Sequence, residues 1–253
     1  MSVDLKQKIA ARELAVGSWV AFPQPAIVEI MCNAGFDWIA VDLEHSTITL
    51  AEAEGLIRTI DGRGRAPLVR LTCNDAMQIK RVMDAGAHGV IVPNVRSRDD
   101  VLAAHRAMHY PPRGNRGVGL ARAQGYGASF QRYREWLDRS AVLIGQIEHA
   151  DALGRLDEIF GSEELDAFMI GPYDLTASMG IAGQFDHPDF TAALAEIRRV
   201  AAARGKVAGI HVVEPRPEEL SLRVEEGYRF IAYSVDFRMI DEACRRGLRA
   251  VGR

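Results

Sequence analysis

Seven polar side chains stand at or near the ends of short apolar segments, where they could meet in one site. The set contains acids, histidines, one arginine and one glutamine: Asp42, His45, Arg70, Gln146, Glu148, Asp174 and His211. Charged groups are costly to bury unless they are paired or bind a metal, so their convergence needs a chemical reason. The pattern predicts an active site built from these residues.

Glu148 and Asp174 are the candidate metal ligands. They follow consecutive apolar segments, so their oxygens could converge on one cation. Hard oxygen ligands favour Mg²⁺ or Mn²⁺, and two carboxylates leave coordination positions free for water and substrate. The alternative is that each acid makes an ordinary salt bridge or helix cap. Their occurrence together on neighbouring strands favours the metal site.

Arg70 interrupts an otherwise apolar segment, where a permanently charged guanidinium needs an anionic partner. That partner is either a ligand anion or, within the protein, Asp42 or Glu44. His45 could act as a general base. A histidine at the end of a strand is more often structural than catalytic, but Asp42 stands three residues earlier and could orient the imidazole.

The lysines indicate what chemistry the chain does not use. An enzyme that forms a Schiff base needs a lysine at a strand end facing its pocket. The chain has only four lysines: Lys6 and Lys8 in an N-terminal helical segment, Lys80 within a helix and Lys206 at the start of an apolar run. We therefore expect no lysine nucleophile.

Short apolar runs alternate with longer amphipathic stretches along the chain. Such runs are typical of parallel strands covered on both faces. The eight runs are Gly17–Phe22, Trp38–Asp42, Leu68–Thr72, Gly89–Val95, Val142–Glu148, Ala167–Gly171, Val207–Val213 and Phe230–Val235. The predicted helices are Pro25–Ala34, Leu50–Asp61, Asp75–Ala85, Arg98–Met108, Ala150–Phe160, Asp189–Arg204, Pro217–Glu226 and Phe237–Leu248.

Eight strand–helix units favour a closed (β/α)8 barrel over an open sheet. A glycine before each of several strands ends the preceding helix; these are Gly35, Gly86, Gly161, Gly205 and Gly227. The chain length of 253 residues suits one such barrel, so we expect a single domain over residues 1–253. Barrels of this kind carry their active sites at the C-terminal ends of the strands.

Composition and charge exclude several classes of protein. A net charge of −3 without a basic block argues against nucleic acid or an anionic membrane as the main partner. No apolar run reaches the length of a membrane span, and the N-terminus lacks a signal-type apolar core. The three cysteines are scattered, which predicts neither disulfides nor a zinc knuckle. We expect a cytoplasmic protein.

Two connections are longer than the others. Tyr110–Ser129 is rich in Gly, Arg and Pro, and Leu175–Pro188 follows the sixth apolar run. Long loops on a barrel are usually functional or interfacial. The Gly117–Gly119 pair is not a dinucleotide fingerprint, because no strand leads into it and the third glycine is missing. No organic cofactor is expected.

Several segments, in order, resemble the HpcH/HpaI family of class II pyruvate aldolases. These relatives cleave or form 4-hydroxy-2-keto acids such as 2,4-dihydroxyhept-2-ene-1,7-dioate and 2-keto-3-deoxy-sugar acids. The resemblance runs along almost the whole chain, through GFDWIAVDLEH, the Arg70 strand, NDAMQIKRVMDAGAHGVIVPNV, YPPRGNRGVG, GQIEHADAL and IGPYDLTASMG.

The resemblance implies a role for each site residue. Glu148 and Asp174 would bind the divalent metal, Mg²⁺ or Mn²⁺ with Co²⁺ as a further candidate, while His45 acts as base and Asp42 orients it. Arg70 would steady the keto or enolate oxygen. The substrate carboxylate would be received by Gln146 and the segment Gly171, Pro172, Tyr173 and Asp174.

The resemblance also implies hexamers, arranged as trimers of dimers that exchange the last helix, Phe237–Leu248. The chain departs from the family pattern at the loop after Gly119, which reads LARAQGYG, and at His211, where an apolar residue is expected near the aldehyde site. We therefore expect His211 and the Arg116–Tyr126 loop to shape the aldehyde site.

Two other functions compete with a pyruvate or hydroxypyruvate aldolase. A lyase of the citrate-lyase-β or malyl-thioester type uses similar carboxylates on the same fold, but it must hold a coenzyme A tail, and no clear basic phosphate site is evident. A barrel that binds a sugar acid without catalysis is the second alternative. No appended DNA-binding or signalling segment supports it.

Overall fold

The computed structural model describes residues 3–252 and contains a closed barrel of eight parallel strands in sequence order. The strands are β1 (Ala15–Val20), β2 (Trp38–Asp42), β3 (Ala66–Arg70), β4 (Gly89–Val92), β5 (Val142–Ile147), β6 (Ala167–Ile170), β7 (Val207–Val212) and β8 (Phe230–Val235). Strand β1 pairs with β8 and closes the ring. The predicted (β/α)8 barrel is confirmed.

Helices alternate with the strands and pack on the outside of the barrel. They are α1 (Leu5–Ala10), α2 (Pro25–Ala34), α3 (Leu50–Gly62), α4 (Ala76–Asp84), α5 (Arg98–Met108), α6 (Phe130–Ser140), α7 (Leu156–Phe160), α8 (Pro172–Ser178), α9 (Pro188–Ala203), α10 (Pro217–Glu225) and α11 (Asp236–Arg249). Two 3-10 turns, Arg122–Gly127 and Ala150–Arg155, complete the set, and the second replaces the start of the predicted helix Ala150–Phe160.

Several strands end earlier than predicted, because side chains form hydrogen bonds with the backbone N–H groups that would have continued the sheet. The Asp236 carboxylate accepts hydrogen bonds from the Ala21 and Phe22 N–H groups at 3.0 and 2.9 Å, so β1 ends at Val20. Thr72 donates its N–H to the Gln78 side chain at 2.9 Å instead of to the sheet. Asn94 has φ of 58° and donates its N–H to Glu148 Oε1 at 2.6 Å, beyond the end of β4.

Large aromatic rings fill the inside of the barrel. Trp38 stacks on Phe230 with centroids 4.6 Å apart, and both are fully buried. A Cβ on Gly17 would lie 1.9 Å from the Trp38 ring, so only glycine fits there. Helix α1 closes the N-terminal ends of the strands, with Leu5 and Ile9 buried in the same apolar cluster.

No helix within residues 3–252 combines the length and the hydropathy needed to cross a membrane.

Candidate active site

A cavity of about 380 Å³ opens at the C-terminal ends of the strands. Nine of the predicted site residues line it, namely Asp42, His45, Arg70, Gln146, Gly171, Pro172, Tyr173, Asp174 and His211. Glu148 borders it, because a Cβ on Gly171 would lie 2.8 Å from Glu148 Oε2. The structure therefore brings all the predicted site residues together.

Arg70 is fixed from two sides. Asp42 and Arg70 are register partners at the ends of β2 and β3. The guanidinium donates from Nε to Asp42 Oδ1 at 2.9 Å and from Nη2 to Oδ2 at 2.6 Å, and it lies over the Trp19 ring at 4.3 Å. The internal ion pair that the sequence left open is therefore present, with Glu44 Oε2 a more distant partner at 3.5 Å from Nε.

The expected contact between Asp42 and the His45 ring is wrong for this structure. Asp42 Oδ1 accepts hydrogen bonds from the backbone N–H groups of Glu44 and His45 at 3.0 and 3.2 Å. These bonds and the Arg70 pair occupy the carboxylate, so it shapes the turn after β2 instead of holding the imidazole. The His45 ring is exposed, and its Nε2 lies 3.7 Å from Glu44 Oε2.

Glu148 lies just past the end of β5, where it is buried and hydrogen-bonded. Its Oε1 accepts the Asn94 N–H, and its Oε2 accepts a hydrogen bond from the Gln146 amide. Neither Glu148 nor Asp174 forms a salt bridge with any residue in 3–252. Across the same range, no three His, Cys, Asp or Glu side chains gather closely enough to enclose a metal. The carboxylate pair is thus the candidate metal-binding set.

The site carries excess negative charge on its carboxylate side. Burial raises the pKa of Glu148, and the charge of Asp174 raises it further against the hydrogen bonds from Gln146 and Asn94. Burial also raises the pKa of Glu44 to about 7, with Arg70 opposing this and nearby carboxylates adding to it. Repulsion of this kind is relieved by a cation bound among the carboxylates.

Asp42 behaves in the opposite way. Burial by itself would raise its pKa, but the hydrogen bonds and charge of Arg70, together with two backbone N–H groups, hold the pKa below its ordinary value. Asp42 therefore stays ionised and keeps Arg70 in place.

His211 projects from β7 into the wall of the cavity. Burial and the charge of Arg70 lower the pKa of its imidazole to about 3, although a hydrogen bond to the Ser234 backbone opposes this. The ring is therefore neutral at any ordinary pH. It meets Trp19 edge-to-face with centroids 5.7 Å apart.

The Arg116–Tyr126 loop lies away from the cavity of its own chain, and its expected role at the aldehyde site stays a prediction. Arg116 is buried and donates to Asp84, Tyr110 and Tyr133, while Arg122 reaches Asp61 and the Ala85 carbonyl at the C-terminal ends of α3 and α4. These anchors hold the loop along the outer helices, and none of its residues lines the cavity.

Sequence reasoning missed Trp19 and Asn94. Asn94 directly follows a predicted apolar run, so the same search for polar residues at strand ends could have found it. Trp19 is an aromatic residue inside a predicted strand, where core packing is the ordinary explanation, and only the structure shows it against Arg70.

Comparison with known proteins agrees with this architecture. Residues 15–243 match the family described as HpcH/HpaI aldolase/citrate lyase. The chain is 35% identical over 243 residues to a hydroxypyruvate/pyruvate aldolase of Sagittula stellata, covering 94% of this chain and 93% of that protein. It is also 35% identical over 228 residues to a 2-dehydro-3,6-dideoxy-6-sulfogluconate aldolase of Pseudomonas putida, covering 89% and 88%.

Among solved structures, an HpcH/HpaI aldolase/citrate lyase family protein from Burkholderia cenocepacia superposes with a TM-score of 0.93. The two chains are 28% identical, and the superposition covers 100% of both. With the family match extending from the first strand into the last helix, this chain belongs to the HpcH/HpaI aldolase/citrate lyase family.

Proposed function

We propose that the chain is a class II aldolase. It forms the enolate of pyruvate or hydroxypyruvate and adds it reversibly to an aldehyde, which gives a 4-hydroxy-2-keto acid. The aldolase names of relatives at 35% identity support this activity. The observation that carries the proposal is the Glu148–Asp174 carboxylate pair, which forms no salt bridge with any residue in 3–252 and stands at the cavity that also holds the Asp42–Arg70 ion pair.

A divalent metal fits this donor set. Glu148 and Asp174 would hold it, since hard carboxylate oxygens suit Mg²⁺, Mn²⁺ or Co²⁺ and mutual repulsion between the acids would be relieved. Gly171 has no side chain and leaves space next to Glu148 Oε2. When bound, such a cation supplies Lewis acidity that makes the C3 protons of a 2-keto acid easier to remove.

The remaining steps belong to side chains of this protein. His45 lies free at the edge of the cavity and would take the C3 proton on a ring nitrogen. Arg70 would stabilise the charge that develops on the keto oxygen. Asp42 would act through Arg70, because its two hydrogen bonds set the position of the guanidinium.

Substrate orientation would come from the segment after β6. Gly171, Pro172, Tyr173 and Asp174 line the cavity together with Gln146. The Gln146 amide nitrogen already donates a hydrogen bond to Glu148 Oε2, and Gln146 Oε1 is buried without a partner in residues 3–252. Because an oxygen cannot donate to a carboxylate, the backbone of the segment is the better donor. We place the substrate carboxylate beside the backbone of this segment.

The assembly and location of the protein are further parts of the proposal. The whole chain would form one domain, and copies would assemble as hexamers from dimers that exchange α11. Only Asp236 is buried among the residues of α11, while Phe237, Ile240 and Leu248 are exposed. Free cysteines, of which Cys73 and Cys244 are exposed, suit the reducing cytoplasm.

The test is product formation from pyruvate or hydroxypyruvate and a panel of small aldehydes, followed by NMR in the presence of Mg²⁺ or Mn²⁺. We expect a 4-hydroxy-2-keto acid from the unchanged protein, and loss of product in Glu148→Gln and Asp174→Asn. Asp151→Asn is the matched control, because Asp151 is an exposed acid that does not line the cavity. Absence of any carbon–carbon product, or full activity in Glu148→Gln, would contradict the proposal.

A further inference from the structure

Two buried nitrogen atoms in the cavity wall have no hydrogen-bond partner among residues 3–252. They are Trp19 Nε1 and His211 Nε2, and both residues line the cavity. Buried polar groups in proteins are nearly always paired, so an unpaired group needs an explanation. The enolate chemistry proposed above uses neither residue, which leaves both available for a different contact with the substrate.

The two residues belong to one wall of the barrel. His211 is on β7 and Trp19 on β1, with β8 between these strands, and their rings meet at 5.7 Å. Ser234 on β8 has a φ of 55°, which is a strained conformation for a serine, and its carbonyl accepts a hydrogen bond from Ser18 Oγ at 3.1 Å. Strain held by its surroundings is common at functional sites.

This wall offers neutral hydrogen-bonding groups. A neutral imidazole presents one donor and one acceptor nitrogen, and an indole presents one donor. The positive charge of Arg70 is paired with the Asp42 carboxylate through two hydrogen bonds. Arg238, the other arginine that lines the cavity, is paired with Glu214 and Asp241. Among residues 3–252, this wall therefore offers a carboxylate or phosphate no unpaired cation, whereas a hydroxyl can both donate a hydrogen bond and accept one.

The position of the wall places such a hydroxyl near the reacting carbons. Trp19 stacks on the Arg70 guanidinium at 4.3 Å, and Arg70 is the residue assigned to the keto oxygen. A group that touches Trp19 or His211 is thus close to the carbonyl carbon and its neighbour.

We propose that His211 and Trp19 form a hydroxyl-binding subsite, which selects an aldol donor or acceptor with a hydroxyl group next to its carbonyl. This inference rests on the proposed aldolase function and names its substrate class. Hydroxypyruvate is such a donor, and glycolaldehyde is such an acceptor. A site built around a substrate hydroxyl discriminates against the analogue without it, because its buried polar groups then stay unpaired.

The experiment compares matched substrate pairs. The donor arm measures the kcat/KM ratio of hydroxypyruvate to pyruvate with one aldehyde, and the acceptor arm measures the ratio of glycolaldehyde to acetaldehyde with pyruvate. His211→Leu and Trp19→Phe should each lower the ratio in the same arm by about three- to tenfold, the effect of one neutral hydrogen bond. The arm that responds identifies which substrate carries the recognised hydroxyl.

Two further variants separate hydrogen bonding from shape. His211→Asn keeps a donor and an acceptor, so its ratio should lie nearer to that of the unchanged protein than the His211→Leu ratio does. Val213→Leu alters an apolar residue in the same cavity and should not lower the ratio. If His211→Leu and Trp19→Phe keep both ratios while turnover continues, the subsite is wrong and the aldolase function stands.

Failure of the aldolase function would look different. The unchanged protein would then give no product with any pair. Calorimetric titration with hydroxypyruvate and with pyruvate, in the presence of Mg²⁺, measures the Kd of each donor and so tests recognition of the donor hydroxyl without turnover. A Kd ratio that favours hydroxypyruvate and falls in His211→Leu supports the subsite. Equal Kd ratios in the two proteins exclude the donor hydroxyl, and the subsite is then overturned if the acceptor ratio is also unchanged.

Discussion

Arg70 and His45 line the same cavity but differ in burial and in hydrogen bonding, and this difference supports different catalytic roles for them. Arg70 is buried, paired with Asp42 and stacked on Trp19. The His45 ring is exposed and free of hydrogen bonds to Asp42. A fixed guanidinium suits charge stabilisation, and a free imidazole suits proton transfer.

Two reactions distinguish these roles. Aldol synthesis must break a C–H bond of pyruvate, whereas decarboxylation of oxaloacetate reaches the same enolate by losing carbon dioxide. We expect His45→Ala to lose about 10²–10⁴-fold in aldol synthesis, the contribution of a general base, and far less in decarboxylation. Arg70→Ala should lose both, by about 10²–10³-fold as for an oxyanion-stabilising donor. Steady-state rates of the two reactions provide the measurement.

His149→Ala is the control for His45, since His149 also follows a strand but lies outside the cavity. Folding and metal content are verified first for each variant. If folded, metal-loaded His45→Ala slows both reactions equally, then His45 is not the C–H base.

His109 makes a separate prediction about pH and stability. It is buried, and burial lowers its pKa to about 4 from 6.5, against a hydrogen bond to the His105 carbonyl. The unfolded chain therefore takes up a proton first as pH falls. The stability from a neutral His109 is complete above pH 6.5 and is lost towards pH 4, by at most about 3 kcal/mol. His109 lines a second cavity, at the N-terminal end of β5, and the other charged and titratable groups around it are Lys6, His105, Arg113, Glu163, Glu164 and Asp166.

Urea unfolding between pH 7 and pH 4 measures this effect. The free energy of unfolding of His109→Gln should depend less on pH than that of the unchanged protein. His187→Asn serves as control, because it removes a partly exposed histidine at a helix N-cap where asparagine also fits. Parallel pH curves for the unchanged protein and His109→Gln would contradict the interpretation.

At the scale of helices and strands, the barrel places its lysines away from the cavity. Lys6 and Lys8 on α1 bond to the Ala141 carbonyl and to Asp37, and Lys206 bonds to the Ser162 and Leu165 carbonyls. These contacts lie at the N-terminal ends of the strands. Lys80 is on α4, and none of the four lines the cavity.

We therefore expect borohydride to trap no covalent adduct when pyruvate is present, since no lysine can form the Schiff base. Intact-protein mass spectrometry, followed by peptide mapping, makes the test. A pyruvate-derived adduct in one-to-one amount on any lysine would rule out the class II mechanism.

The same elements show what the sequence could predict. Unbroken apolar runs identified all eight strands, because strands covered on both faces need apolar side chains throughout. Helix α6 was missed, although its apolar residues Phe130, Tyr133, Trp136 and Leu137 recur at helical spacing and pack against the core. Strand ends shifted where a distant side chain, such as that of Asp236, captured the backbone.

The sequence predicted which residues reach the candidate site, but it did not predict which of them contact each other. Strand ends bring Asp42, Arg70 and Asp174 to one cavity, as the barrel requires. Spacing along the chain suggested that Asp42 faces His45. The register between β2 and β3 instead sets Asp42 opposite Arg70, and a permanent charge is the stronger partner.

For the whole molecule, helix α11 is the element whose apolar residues stay exposed in a single copy. Its apolar residues Phe237, Ile240 and Leu248 are 42%, 47% and 51% exposed. An amphipathic helix is normally stabilised by burying its apolar face. A second copy of the chain would cover this face in the proposed exchanged dimer.

We expect Ile240→Asp to break the assembly into smaller species, because a charge would be buried at the interface. Light scattering after size exclusion measures the mass. Arg249→Asp, a change at an exposed charged position near the end of the helix, is the control and should keep the larger species. A single-chain mass for the unchanged protein would contradict the exchange.

Metal-dependent carbon–carbon bond formation is the central claim, and chelation with restoration tests it most directly. The protein is stripped with excess chelator, its metal content is checked by elemental analysis, and aldol product from pyruvate and an aldehyde is followed by NMR. We predict no activity in the stripped protein and recovery with Mg²⁺ or Mn²⁺. Glu148→Ala and Asp174→Ala should each prevent that recovery. Full activity in excess chelator, with no metal detected, would contradict the claim.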